Sequence, residues 1–307
     1  MIAINALLGG AAYIGGAETA TAYGMVVSGY IASALTGSTN RYTFATSTYA
    51  AGTSIPTGRN GIAGISNSVD AFFCAGRNST PANLSQSDRY TYSSETFGSG
   101  TSLGTARYYL AGAGNATLGI LAGGYTTAAT AVSDKYTYAG DTRVAGTSLS
   151  AAKYDLGSCG NATVGIFGGG YTTANSATVN KYTYATDAVT SGTSLVTARA
   201  GVRGASNASK GVFRGGYVAA VTAASETYDL STDAVASATS LSTARNATSC
   251  FGDATQAITS GGNIAAVANA IATTETFTYD TGVSASGTSL TGSRTNAAGT
   301  SNVHGGI

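Results

Sequence analysis

Gly-Thr-Ser-Leu, or a close variant of it, stands at residues 52–55, 100–103, 146–149, 192–195, 238–241 and 287–290. Four residues past each comes a cation: Arg59, Arg107, Lys153, Arg199, Arg245 and Arg294. The steps between these cations are 48, 46, 46, 46 and 49 residues. A period in the forties built from short strands marks propeller blades or arrays. Residues 108–153 show one period in full. A Gly/Ala-rich strand at 108–114 leads into the turn Gly114-Asn115-Ala116. An apolar strand at 117–122 is closed by Gly123-Gly124, and a loop follows at 125–132. Tyr136 and Tyr138 then alternate with Lys135 and Thr137, as a strand with two unlike faces requires. Gly140-Asp141 turns into a fourth strand at 143–149. Four antiparallel strands joined by hairpins make one propeller sheet. The expected fold is all-β: a six-bladed propeller with units at 21–59, 60–107, 108–153, 154–199, 200–245 and 246–294. A β-solenoid is the alternative, but its shorter coils do not need one turn Asn and one Gly doublet every 46 residues.

Substitutions between units fit blades. Eight residues past each cation stand Asn67, Asn115, Asn161, Asn207, Asp253 and Asn302, which tolerate the left-handed conformation a tight hairpin uses. The first strands are lean, as strands crowding an axis must be. Tyr42, Tyr90, Tyr136, Tyr182, Tyr228 and Phe277 are expected farther out, where neighbouring sheets diverge. Residues 295–304 repeat the first-strand pattern, and residues 22–30 match a second strand. The C-terminal strand is therefore expected to complete the first blade and leave no open edge. Residues 11–20 lack both the cation and the turn Asn. Residues 1–20 are read as a surplus extension, either a strap across the propeller or an anchor onto a partner.

Only 9% of residues are charged, against roughly 25% in soluble domains, and the net charge is +1. Such a surface has little pull on nucleic acid or anionic lipid, and little repulsion to keep copies apart. Disorder is excluded because apolar residues recur in register: Leu118, Ile120 and Leu121 match Val164, Ile166 and Phe167. No apolar run approaches the ~18 residues of a membrane span. No basic stretch precedes the apolar residues 2–8, so they make a poor signal peptide. Cys74, Cys159 and Cys250 have unmatched positions within their units and read as small buried apolar residues.

Chemistry is sparse. The one histidine, His304, has no Cys or carboxylate cluster beside it, so no metal site is expected. No nucleophile lies in a catalytic motif, and no cofactor is expected. Asp88, Asp134, Glu226 and Glu275 precede third-strand aromatics and read as strand-entry residues. The six repeated cations could form an anion site on the axis. The structural reading, hydrogen bonds to carbonyls where blades meet, is preferred. Of 15 basic residues, Arg77, Arg143, Arg203, Lys210 and Arg214 fall outside the repeated positions. Arg203, Lys210 and Arg214 cluster in one unit and are candidate binding residues. The loops after the second strands carry Thr, Asn, Ser and Tyr, a composition suited to glycans. Tyr30, Tyr125, Tyr171 and Tyr217 open four of these loops and complete the candidate set.

The apolar run closed by Gly-Gly, the aromatic about eleven residues later and the cation before the next first strand resemble the kelch family of propellers over residues 22–304. The Trp usual in the kelch fourth strand is missing throughout, so Leu149 and its equivalents are expected to supply the fill. The segments Gly-Gly-Tyr-Thr-Thr-Ala and Lys-Tyr-Thr-Tyr-Ala look like kelch-type repeat proteins of tailed bacteriophages. That resemblance implies a non-enzymatic virion component, a decoration or a fibre-associated host-attachment protein. Its partners would be other virion or surface-assembly proteins, through residues 1–20, or a cell-surface glycan. The alternative is a free bacterial kelch-type lectin or protein-interaction scaffold, at the cell surface or in the cytoplasm.

Overall fold

The computed structural model describes residues 21–31, 34–80, 82–265 and 269–303. Residues 1–20, and with them the strap-or-anchor expectation, lie outside it, as does His304. Among the described residues, six four-stranded antiparallel sheets stand in a ring. The third blade is typical. Its strands, from the axis outward, are Ala111–Gly114, Leu118–Ala122, Ser133–Thr137 and Thr142–Gly146. The first blade combines the two ends of the propeller. Ala298–Ser301 is its innermost strand and pairs antiparallel with Tyr23–Val27, with Met25 opposite Thr300. The C-terminal strand thus closes the ring as expected.

Glycine explains how closely the inner strands approach. A Cβ on Gly112 would lie 2.4 Å from the Gly64 carbonyl oxygen, and one on Gly204 2.4 Å from that of Ser158. What remains on the axis is a cavity of about 40 Å³, bordered by residues such as Ala63, Ala111, Gly157 and Ala298. Farther out the sheets splay and aromatic rings fill the space. Tyr42, Tyr136, Tyr182, Tyr228 and Phe277 are fully buried. Ile55, Leu103, Leu149, Leu195, Leu241 and Leu290 are buried as well. These side chains supply the fill, but not from the fourth strand: the third blade's last strand ends at Gly146. Leu149 sits in the connection beyond it, where its N–H donates to the Ala131 carbonyl at 2.9 Å. Burying such a leucine contributes roughly 1.5–3 kcal/mol.

The turn residues are correctly placed for a different reason. None of the six is among the described residues with positive φ. They act through their side chains. Asn115 Oδ1 accepts from the N–H groups of Thr117 and Leu118 at 2.9 Å each, closing an Asx turn. Its Nδ2 donates to the Ala162 carbonyl of the next blade at 2.9 Å. Asn67, Asn161 and Asn207 repeat that link to Ala116, Ala208 and Ala254. Asn302 makes the turn without covalent continuity. Its Oδ1 accepts from the Tyr23 N–H at 2.7 Å, and its Nδ2 donates to the Thr21 carbonyl at 3.0 Å.

The left-handed positions lie at the other end of the blades. Both residues of each doublet have positive φ, from Gly123 (69°) and Gly124 (113°) to Ser28 (62°) and Gly29 (100°). The second N–H of each doublet donates to the carbonyl of the next repeated cation, as Gly124 does to Lys153 at 2.9 Å. Two residues past each cation, Gly61, Tyr109, Asp155, Gly201, Ala247 and Asn296 are also left-handed, with φ between 52° and 64°. Their backbones form a closed circle. Each N–H donates to the carbonyl of its counterpart in the preceding blade, at 2.7–3.1 Å, and Gly61 completes the circle by donating to Asn296.

Candidate functional site

The repeated cations are tied into the blades rather than aimed at the axis. Arg107 donates from Nε to the Gly123 carbonyl and from Nη2 to that of Leu121, each at 2.9 Å, and its Nη1 lies 2.6 Å from Asp134 Oδ2. Arg59 does the same with Ala75, Phe73 and Asp88. Arg199 pairs with Glu226, and Arg245 with Glu275 at 2.6 Å. Among the described residues none of the six borders the axial cavity. The third-strand acids are therefore the cations' partners and not simply strand-entry residues. They also reach the neighbouring blade: Glu275 accepts from the Ser242 N–H at 2.9 Å, and Asp134 from that of Gly104 at 3.2 Å. In the fourth and first blades the acid is replaced by Asn180 and Asn40. There Lys153 Nζ donates to the Thr178 carbonyl at 3.0 Å, and Arg294 to that of Ser38 at 2.8 Å. Burial without a carboxylate lowers the Lys153 ammonium to about 8 and Arg294 to about 10.

Arg203, Lys210 and Arg214 do not form a surface patch. Arg203 and Arg214 oppose each other on paired strands, but their side chains diverge. Arg214 is fully buried between the fifth and sixth blades. Its guanidinium donates to Ser284 Oγ at 2.6 Å and lies 5.4 Å from the Phe277 ring centroid. It offers nothing to a surface ligand, and burial lowers its pKa. Lys210 lies at the far end of the same strand and donates to the Tyr279 carbonyl at 2.6 Å. Arg203 turns to the axis, where it pairs with Asp155 at 2.9 Å.

The tyrosines behave differently. Tyr30, Tyr125, Tyr171 and Tyr217 are all half-buried on the pole that carries the second-strand loops. Tyr125 and Tyr171 join Tyr108, Tyr109 and Tyr154 in a continuous arc. Ring centroids lie 5.7 Å apart for Tyr108 and Tyr125, 5.1 Å for Tyr125 and Tyr154, and 5.6 Å for Tyr154 and Tyr171. Tyr109 stacks on Tyr154 at 6.3 Å. Arg77 lies 5.3 Å from the Tyr108 centroid. A cleft of about 500 Å³ opens here, bordered by Arg77, Asn83, Tyr108, Tyr125, Thr126 and Thr127. Arg77 also borders a second cleft, of about 870 Å³, which Tyr30 and Leu35 line. Tyr217 opens the loop of the next blade, where it meets Ala200 and Val221 through backbone bridges and has no ring contact with the arc among the described residues.

The signal that could have found Tyr108, Tyr109 and Tyr154 is positional. One residue past the cation, the other blades carry Asn60, Ala200, Asn246 and Thr295. Those residues make the same backbone bridge that Tyr108 makes to Tyr125 and Tyr154 to Tyr171. The fold therefore does not require an aromatic there. Tyr109 is also a bulky residue at φ 56°, a conformation costly for anything but glycine and a few small polar residues. Burial, and then the charge of Asp155, raise its phenol pKa, so it remains a hydrogen-bond donor at neutral pH.

Other chemistry is thin. Cys74, Cys159 and Cys250 are free and buried, and burial pushes the Cys74 thiol up to about 12. Among the described residues no three His, Cys, Asp or Glu side chains are grouped to hold a metal ion, and no helix is long and apolar enough to cross a membrane. No protein-family model matches the chain, and no curated protein matches it. The architecture itself supports a binding or scaffold role.

Proposed function

We propose that the protein is a non-enzymatic structural and binding propeller that works within an assembly, as a virion component of a tailed bacteriophage. It would be a decoration or a fibre-associated host-attachment protein making multivalent protein or glycan contacts. The observation that carries the assembly reading is the outer rim. The six outermost strands include Thr48–Gly52, Thr96–Gly100, Thr142–Gly146 and Ala188–Gly192, and Arg143 is their one charged residue. Proteins that must stay apart guard exposed strand edges with charge or proline. Here that guard is nearly absent, and a rigid ring presents six such edges. Weak contacts add up when several engage together. The phage assignment rests on the likeness of the repeat segments described above. Within the alternative, a free bacterial kelch-type lectin or scaffold, the one-sided tyrosine arc favours the lectin, because a symmetric scaffold has no use for an aromatic group on one flank.

Particle composition tests the proposal. Mass spectrometry and electron cryomicroscopy of purified phage particles from the host lysate are expected to find the protein in ordered copies with rim contacts. Recovery only as a free monomer, absent from particles and surface arrays, would refute it.

A further inference from the structure

We propose that the tyrosine arc is a binding site for a pyranose saccharide, laid over the rings of Tyr108, Tyr125, Tyr154 and Tyr171 and reaching into the cleft beside Arg77. This rests on the reading of the protein as a binding propeller, but not on its place in a virion.

Three observations converge. The arc is dispensable to the fold, since Asn60, Ala200 and Asn246 hold the same backbone place without a ring. Its hydroxyls are unspent. Among the described residues those of Tyr108, Tyr125, Tyr154 and Tyr171 have no hydrogen bond to protein, whereas Tyr228 donates to Asp233 at 3.1 Å. The cleft mixes aromatic faces with Thr126, Thr127, Asn83 and one guanidinium, and its volume of about 500 Å³ lies in the range of small-ligand sites.

That mixture selects a chemical class. A pyranose ring has an apolar C–H face that packs on an aromatic ring and a hydroxyl rim that needs donors and acceptors. The tyrosines supply both from one side chain. Charge argues against a polyphosphate chain. Arg77 is the one basic residue bordering the cleft, whereas single-stranded nucleic acid needs a groove of several. A cleft this poor in cations suits a neutral saccharide. Asn83 keeps the cleft rigid by donating from Nδ2 to the Thr126 carbonyl of the next blade at 2.9 Å.

The test is a printed array of neutral and acidic pyranose oligosaccharides probed with the whole protein, followed by calorimetric titration of the strongest binder. Tyr108→Asn and Tyr154→Asn install the residue that other blades carry at this position, so melting temperatures are expected to hold. Each variant should weaken binding roughly three- to tenfold. Tyr125→Phe, which keeps the ring, should lose less than Tyr125→Ala. Tyr217→Ala, one blade beyond Tyr171 and outside the ring contacts of the arc, should lose less than Tyr125→Ala. The proposal is overturned if the folded wild-type protein binds nothing on the array, or if folded Tyr108→Asn and Tyr154→Asn bind as tightly as wild type. Either result leaves the assembly proposal standing, because that is judged on particle composition.

Discussion

Lys153 stands where the other five blades place arginine, and the acid opposite it has become Asn180. The first blade also loses the acid, at Asn40, but keeps Arg294, so only here do both partners change. A carboxylate left without its buried arginine, or the reverse, costs about 3–5 kcal/mol. Lysine has a further option, since an ammonium gives up its proton far more readily than a guanidinium. Held at about 8 when folded against 10.5 when free, Lys153 is neutral in the folded chain and charged in the unfolded chain between those pH values. The unfolded state then binds more protons, so this group's contribution to stability rises with pH across that window, by at most about 3 kcal/mol. The Cys74 thiol, raised from 9.0 to about 12, works in the opposite direction above pH 9. Urea unfolding of wild type and Lys153→Met in parallel from pH 7 to 10 separates the two. The wild type should gain on the variant as pH rises, and a constant gap between them would contradict the assignment. At this level the sequence shows its cations and acids plainly. It does not show that they face each other, because the strand-three acids and the cations that precede strand one lie 27–30 residues apart and meet only once the blade is folded.

Within a blade, distance from the axis sets what each strand tolerates. Gly112 on an inner strand and Gly98 on an outer strand look alike in sequence. The first has the Gly64 carbonyl oxygen 2.4 Å from where a Cβ would sit, and the second has nothing within 4 Å. Gly112→Ala is expected to destabilise by about 1–3 kcal/mol through overpacking. Gly98→Ala should be neutral or stabilise by up to about 1 kcal/mol, because the unfolded chain loses freedom. Thermal denaturation of the two single variants checks the pair, and equal effects would mean that crowding at the axis does not govern the inner strand. The lean inner strands and the buried rings farther out were legible because packing volume leaves a mark on composition. The placement of Leu149 was not, because an apolar residue just past a strand reads like one within it. The glycine doublet was legible as a pair, yet Ser28 and Ala75 hold its first left-handed position. Backbone conformation there is imposed by the bond from the doublet to the next cation's carbonyl.

Two circles hold the blades together, one at each pole, and they differ in how much sequence reveals. The backbone circle through Gly61, Tyr109, Asp155, Gly201, Ala247 and Asn296 uses main-chain atoms alone. Its members share no side-chain chemistry, so no pattern announces it. The side-chain circle through Asn67, Asn115, Asn161 and Asn207 is legible because only an amide both accepts within its turn and donates onward. It breaks at Asp253, which accepts from Thr255 and Gln256 but has no hydrogen to donate, and at Asn302, whose Nδ2 donates to Thr21 of its own blade. Asp253→Asn should restore a donor aimed at the closing strand's turn, beside Val303, and stabilise by about 0.5–1.5 kcal/mol. An unchanged melting temperature would show that the seam between the sixth and first blades is held elsewhere. Closure was legible because Asn302 carries the same mark as the covalent turns. Its bonds to Tyr23 and Thr21 gather both ends of the described chain at one pole. The tyrosine arc lies at the other. The ring thus has a handle side and a presenting side: a linker, surface or neighbouring subunit joined through residue 21 or residue 303 leaves the arc pointing away from its support.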